Sequence, residues 1–164
     1  MYKRILVPVD GSATSIRGLD EAIKLAKLTG GRLYLVHVLD QMTFAADMTF
    51  SVDVFGILQE AGTQLLQRMK ARVGAAGLDA SVFMSEVLPG RVCDVVMEQA
   101  KEFEADLIVV GTHGRRGVGR LLVGSDAEQI VRLAQVPVLL VRSTPTPSSE
   151  SDADAVARAD SQAA

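Results

Sequence analysis

The chain has no tryptophan, a single cysteine, and no apolar run approaching the roughly 20 residues a helix needs to cross a bilayer. The lone Cys93 excludes an intramolecular disulfide and a cysteine-rich metal site, which makes a cytoplasmic location the expectation. The opening MYKRILVPVDGS carries a short apolar stretch that meets Asp10 at once, so it reads as a strand and not as a signal peptide. An excess of one charge is lacking too. The 17 Lys and Arg stand against 20 Asp and Glu, far from the basic surplus of a nucleic-acid binder. No Ser-His-Asp order in a recognisable context, no paired carboxylates on one motif and no H-x-x-x-H spacing occur, so no catalytic or metal-ligating residue is assigned. Without a Gly-Lys pair, the G-x-x-x-x-G-K-[ST] phosphate loop is excluded as well.

What is present is a globular composition, 48% apolar and 23% charged over 164 residues, enough for one domain with a sheet covered on both sides. The net charge of −3 lies beyond residue 142, where Glu150, Asp152, Asp154 and Asp160 face Arg158 alone; acids and bases of the remainder cancel. That segment, 143–164, is dominated by Pro, Ser, Ala and Asp, with almost nothing apolar to bury. It is expected to be a disordered acidic tail behind a domain of residues 1–142.

Within the domain, strand and helix patterns alternate. Ile5–Val9 reads as a buried strand, with Pro8 near its end where pairing finishes. Ile16, Leu19, Ala22, Ile23 and Ala26 recur at helical spacing up to Gly30-Gly31. Arg32–Leu39 is a second strand, and its His37 reads as a satisfied interior histidine. Residues 40–56 hold Met42, Phe44, Met48, Phe50 and Phe55, and either cover a ligand or partner or lengthen the helix that follows. In that helix Leu58, Gly62, Leu65, Leu66, Met69 and Val73 share a face. Ala80–Leu88 has the mixed polarity of an edge strand, and Val92, Val95, Val96, Gln99 and Phe103 mark the inner side of the next helix, with Cys93 a small filler. Leu107–Val110 is an unbroken apolar run, the pattern of a strand buried on both faces, and Val136–Arg142 is the last strand. Five strands separated by four helices imply an α/β fold: a doubly wound parallel sheet with right-handed crossovers and helices on both faces. In such sheets ligands bind beyond the carboxyl ends of the strands, where the strand order reverses.

The most informative stretch joins the fourth strand to the last helix. Gly111, Gly114, Gly117, Gly119 and Gly124 stud a loop that also carries Arg115, Arg116 and Arg120. Ser125, with Glu128 three residues on, has the spacing of a capping box, and Ala127, Ile130, Val131 and Ala134 form the expected inner side of its helix. Strand, glycine loop and helix start together make an anion site: glycines let backbone N–H groups approach an oxyanion, and the helix end adds about half a positive charge. The arginines suit a small polyanion better than a duplex. The dinucleotide fingerprint G-x-G-x-x-G/A fails, because Leu122 takes its last position and the loop follows the wrong strand. What remains is Gly111-x-x-Gly114, nine residues, then Gly124-Ser125. This resembles the G-x2-G-x9-G-[S/T] signature of ATP-binding members of the universal stress protein family, and KRILVPVDGS, LVHVLD and VPVLLVR extend the resemblance over residues 1–142.

The resemblance implies a Rossmann-like sheet of order 3-2-1-4-5, whose reversal falls between the strands ending in Asp10 and Gly111. A carboxylate at a strand tip can accept ribose hydroxyls, sit near a metal ion, or cap the turn before Ser12; the resemblance favours ribose for Asp10. The cofactor-binding set it implies is Val9, Asp10, Val38, Gly111, Gly114, Arg115, Gly124, Ser125 and Asp126. In that set the Val38 backbone would read the adenine edge, while the glycines and Ser125 cradle phosphates. The implied ligand is ATP, alone or with magnesium, and the implied assembly is a homodimer through Val136–Arg142, with no nucleic-acid or membrane partner. The expected function is an ATP-binding regulatory stress-response protein. Alternatives are a slow ATPase, an adenylating enzyme, or a nucleotide-independent interaction module. An adenylating enzyme of the PP-loop kind would show S-G-G-x-D-S where this chain reads Asp10-Gly11-Ser12-Ala13-Thr14-Ser15.

Overall fold

Successive residues of a strand point to opposite faces, and the apolar runs here are long enough to fill both. In β1 (Arg4–Pro8) Ile5 and Val7 are buried on one side and Leu6 on the other. The computed structural model describes residues 1–39, 52–85, 91–112 and 124–142. After β1 come α1 (Ala13–Thr29), β2 (Arg32–Val38), α2 (Val52–Ala75), β3 (Ala80–Ser85), α3 (Val92–Glu102), β4 (Leu107–Gly111), α4 (Ser125–Leu133) and β5 (Val138–Val141). The strands pair in parallel in the order β3-β2-β1-β4-β5, the doubly wound α/β sheet expected from the alternation.

Two apolar layers hold it. Ile5, Val7, Leu33, Leu35, Leu107 and Val109 meet Leu19, Ala22 and Ala26 of α1 and Leu65, Met69 and Val73 of α2. On the opposite face Leu6, Val36, Ile108 and Val110 meet Cys93 and Val96 of α3 and Ala127 and Ile130 of α4. The amino end of the sheet is tied by Asp106, whose carboxylate accepts the Lys3 and Arg4 N–H groups at 2.8 and 2.9 Å. Its own N–H donates to the Arg4 carbonyl at 2.9 Å. Ser12 caps α1 by accepting the Ser15 N–H at 3.2 Å, and Gly30, in the left-handed region at φ 61°, ends it.

Several local expectations change. Strand β1 closes at Pro8, although the Val9 N–H still donates to the Val36 carbonyl at 2.8 Å. Helix α2 begins at Val52, so residues 52–56 lengthen that helix, while 40–51 lie outside the described residues. Strand β3 is an edge, as its polarity suggested, described as far as Ser85. Strand β5 is shorter than 136–142 and forms the other edge. The capping box at Ser125 does not form. Gly124 is the N-cap and Ser125 the first helical residue, because the Gly124 N–H is bonded to the Thr112 carbonyl and holds Gly124 extended at φ −58°, ψ 149°. Val131 faces outward, 45% exposed, since the nine-residue α4 turns only the stripe of Ala127 and Ile130 to the sheet.

Candidate functional site

The chain runs from β1 to β2 and β3 on one side and from β4 to β5 on the other, so the order reverses between β1 and β4. A cleft at such a reversal opens beyond the carboxyl ends of the two strands. Val9 and Asp10 leave β1 there, and Gly111 ends β4.

Asp10 is half-buried at the start of a tight turn. Its Oδ1 accepts the Ser12 N–H at 2.9 Å, Gly11 takes φ 81°, and the Ser15 hydroxyl donates to the Ser12 carbonyl at 3.1 Å. The turn-capping reading of Asp10 is therefore realised. It holds the carboxylate at the strand tip.

Gly111 is buried, and its lack of a side chain is required by packing. A Cβ there would stand 2.6 Å from the Thr14 carbonyl carbon and 2.8 Å from the Ser15 nitrogen, in the first turn of α1. Across the same contact, a Cβ at Gly18 would lie 3.4 Å from the Gly111 nitrogen. The two glycines bring the start of α1 against the tip of β4, and hence the Asp10 turn beside the glycine loop.

That loop is closed at its base. Thr112, almost wholly buried, donates its N–H to the Val141 carbonyl at 2.9 Å and accepts the Gly124 N–H at 2.6 Å. The Gly124 N–H is thereby engaged within the fold and shapes the backbone at the start of α4. Ser125 and Asp126 are exposed in the first turn of α4, which carries the acids Asp126 and Glu128; the first turn of α1 carries none. Val38, half-buried, ends β2, the strand paired with β1. Gly114 and Arg115, with His113, lie outside the described residues.

Cys93 packs on α4 with its Sγ 3.1 Å from Gln129 Oε1; burial, then the nearby Asp94 carboxylate, pushes its thiol above the ordinary value. It is protonated and poorly nucleophilic at neutral pH, in keeping with a filler role. Among the described residues no group of three His, Cys, Asp or Glu is placed to hold a metal ion, and no helix is long and apolar enough to cross a membrane. The residues that sequence reasoning missed are Gly18, Thr112 and Ser15. A glycine inside a helix was a legible signal for the first. The other two act through contacts that no local pattern announces.

A five-stranded parallel sheet of order 3-2-1-4-5 with helices on both faces defines the class, a doubly wound α/β domain. The profile of the universal stress protein family matches residues 1–142, and the chain belongs to that family. It is 33% identical over 145 residues to Universal stress protein MJ0531 of Methanocaldococcus jannaschii, covering 87% of this chain and 83% of that one. A universal stress protein in complex with cAMP aligns at a TM-score of 0.64 and 26% identity, over 87% of this chain and 99% of the other. The universal stress protein of Archaeoglobus fulgidus in complex with dAMP aligns at a TM-score of 0.62 and 26% identity, over 85% and 98%.

Proposed function

We propose that this protein is a cytoplasmic regulatory domain that binds ATP or a related adenine nucleotide across the tips of β1 and β4. The carrying observation is the hydrogen bond from Gly124 to Thr112, which closes the glycine loop beside the Asp10 turn. The complexes of two relatives with cAMP and dAMP support an adenine ligand. In this reading Asp10 accepts the ribose hydroxyls, the Val38 main chain meets the adenine edge, and Val9 lines the nucleoside. Phosphates lie against the loop from Gly111 to Ser125, with the Ser125 hydroxyl and Arg115 as donors. Magnesium, when bound with ATP, would offset phosphate charge near Asp126. A few bonds to charged oxygens at about 1.5–3 kcal/mol each, less the cost of association, correspond to micromolar binding. Nucleotide is a signal here, and its hydrolysis is slow at most.

The test separates phosphate from ribose. Gly114→Val or Gly124→Val should abolish ATP binding with far-UV circular dichroism retained, and should affect adenosine far less. Asp10→Ala should weaken ATP and adenosine alike, by about tenfold, the size of one lost hydrogen bond to a charged group. Equal ATP affinity in wild type and both glycine variants would sink the site.

The assembly proposed is a homodimer through Val136–Arg142. Leu139 and Leu140 on the edge strand β5 are each 37% exposed, and Leu133 and Val131 on α4 are 50% and 45% exposed. An apolar edge of this kind invites pairing with a second sheet. Lysine at Val138 and Leu140 should convert a dimer to a monomer in light scattering at micromolar concentration; a wild-type monomer, or an unaffected dimer, contradicts the assembly.

A further inference from the structure

We infer that His37 is a positioning residue for Asp10, an inference that rests on the nucleotide site proposed above. Asp10 hangs on the peptide unit it shares with Val9, and that unit is held at both ends by side chains from other elements. The Val9 carbonyl accepts a hydrogen bond from His37 Nδ1 at 2.7 Å, and the Asp10 N–H reaches the Ser15 hydroxyl at 3.4 Å. A peptide unit is planar, so fixing its carbonyl fixes the bond that leads into the Asp10 Cα, and the Ser12 N–H bonded to Oδ1 at 2.9 Å then sets the carboxylate on that anchored base. A carbonyl oxygen only accepts, so the imidazole proton stands on Nδ1.

His37 is 5% exposed. Its ring lies beneath α2 where that helix has Gly62: a Cβ at Gly62 would meet His37 Cδ2 at 3.0 Å, Leu39 Cδ2 at 3.0 Å and Met84 Sδ at 2.8 Å. Glycine is a poor residue for a helix interior, and room for this ring and for the Leu39 and Met84 side chains beside it accounts for it. The placement also sets a spacing. His37 orients the group proposed to accept the ribose, and the next residue, Val38, is the one proposed to meet the base. One strand end thus sets the distance between the two halves of a nucleoside.

The experiment compares wild type with His37→Asn, His37→Leu and Gly62→Ala. Asparagine keeps an N–H donor near the place of Nδ1, whereas leucine fills the space without one. Binding is read by calorimetry with ATP, and the Asp10 turn by amide hydrogen exchange at Ser12 in the ligand-free protein. His37→Leu should weaken ATP by about tenfold and speed exchange at Ser12, and His37→Asn should stay within about threefold of wild type on both readouts. Gly62→Ala, which presses on the ring from the far side, should shift both readouts in the direction of leucine. A leucine variant that binds ATP like wild type, or an asparagine variant no better than leucine at equal thermal stability, overturns the inference. Should wild type take no ATP, the nucleotide reading fails, and exchange at Ser12 alone decides whether His37 orients the turn. Nitrogen-detected NMR of the wild-type imidazole needs no variant: a proton on Nδ1 is expected, and an unprotonated Nδ1 overturns the inference.

Discussion

Two aspartates sit at opposite ends of the central strands and do different work. Asp106, ahead of β4, puts one oxygen on each of the Lys3 and Arg4 N–H groups, about a hundred residues away in sequence, and so stitches β4 to β1 where both begin. Asp10, after β1, puts Oδ1 on the N–H of Ser12, within its own turn. Both look alike in sequence, a carboxylate at the border of an apolar run. Strand polarity separates them, because the amino ends of parallel strands are joined for stability and the carboxyl ends face the cleft. At that second end, contact between β4 and α1 depends on the missing side chain of Gly111.

The largest effect expected at this end follows from filling that contact. Gly111→Ala would press a methyl into the main chain of Thr14 and Ser15, and should cost about 3 kcal/mol in denaturant unfolding, the upper range for overpacking. An unchanged midpoint would mean that the carboxyl end is as loosely built as a surface loop, and the contrast would fail. Next in size, Asp106→Ala removes two charge-assisted bonds to main-chain N–H groups and should cost about 2 kcal/mol, discounted for partial exposure. Asp10→Ala should cost less than about 1 kcal/mol of stability, as the loss of a turn bond does, while weakening nucleotide. The comparison breaks if the two variants exchange order in a thermal melt. Smallest of all, removing residues 143–164 should change stability by less than about 0.5 kcal/mol and leave both ends as they are. A melting temperature lowered by several degrees would show that the segment docks on the domain.

The parts of this fold that were legible in the sequence are those written in local periodicity. The alternating burial of β1, the face of α1 and the both-sided burial of β4 follow from the apolar spacing of Ile5–Val7, Leu19–Ala26 and Leu107–Val110. The strand order did not follow from periodicity and came only with the family resemblance. What local pattern misses is contact at a distance. Ser125 has every mark of an N-cap, yet the bond from Gly124 to Thr112 moves the cap back by one residue. Val131 matches the helical stripe, but the nine-residue α4 buries only Ala127 and Ile130 of it and leaves Val131 outward. Gly111 reads as a phosphate glycine from its spacing; only the approach of α1 reveals the packing demand on it. The roles of Asp10 and Val38 toward a nucleotide rest on resemblance joined to their placement at adjoining strand ends.

The bond between Thr112 and Gly124 also has a bearing on modularity. Eleven residues stand between these two, and both of their attachment points are anchored to the sheet through Thr112. Closing a loop of twice that length would cost only about 0.6 kcal/mol more, because closure entropy grows with the logarithm of length. The pinned base therefore turns residues 113–123 into an exchangeable cassette. On the proposed reading, in which phosphates lie against this loop, ligand preference can be rewritten there, by natural drift or by grafting, while the sheet and both of its apolar layers keep their register.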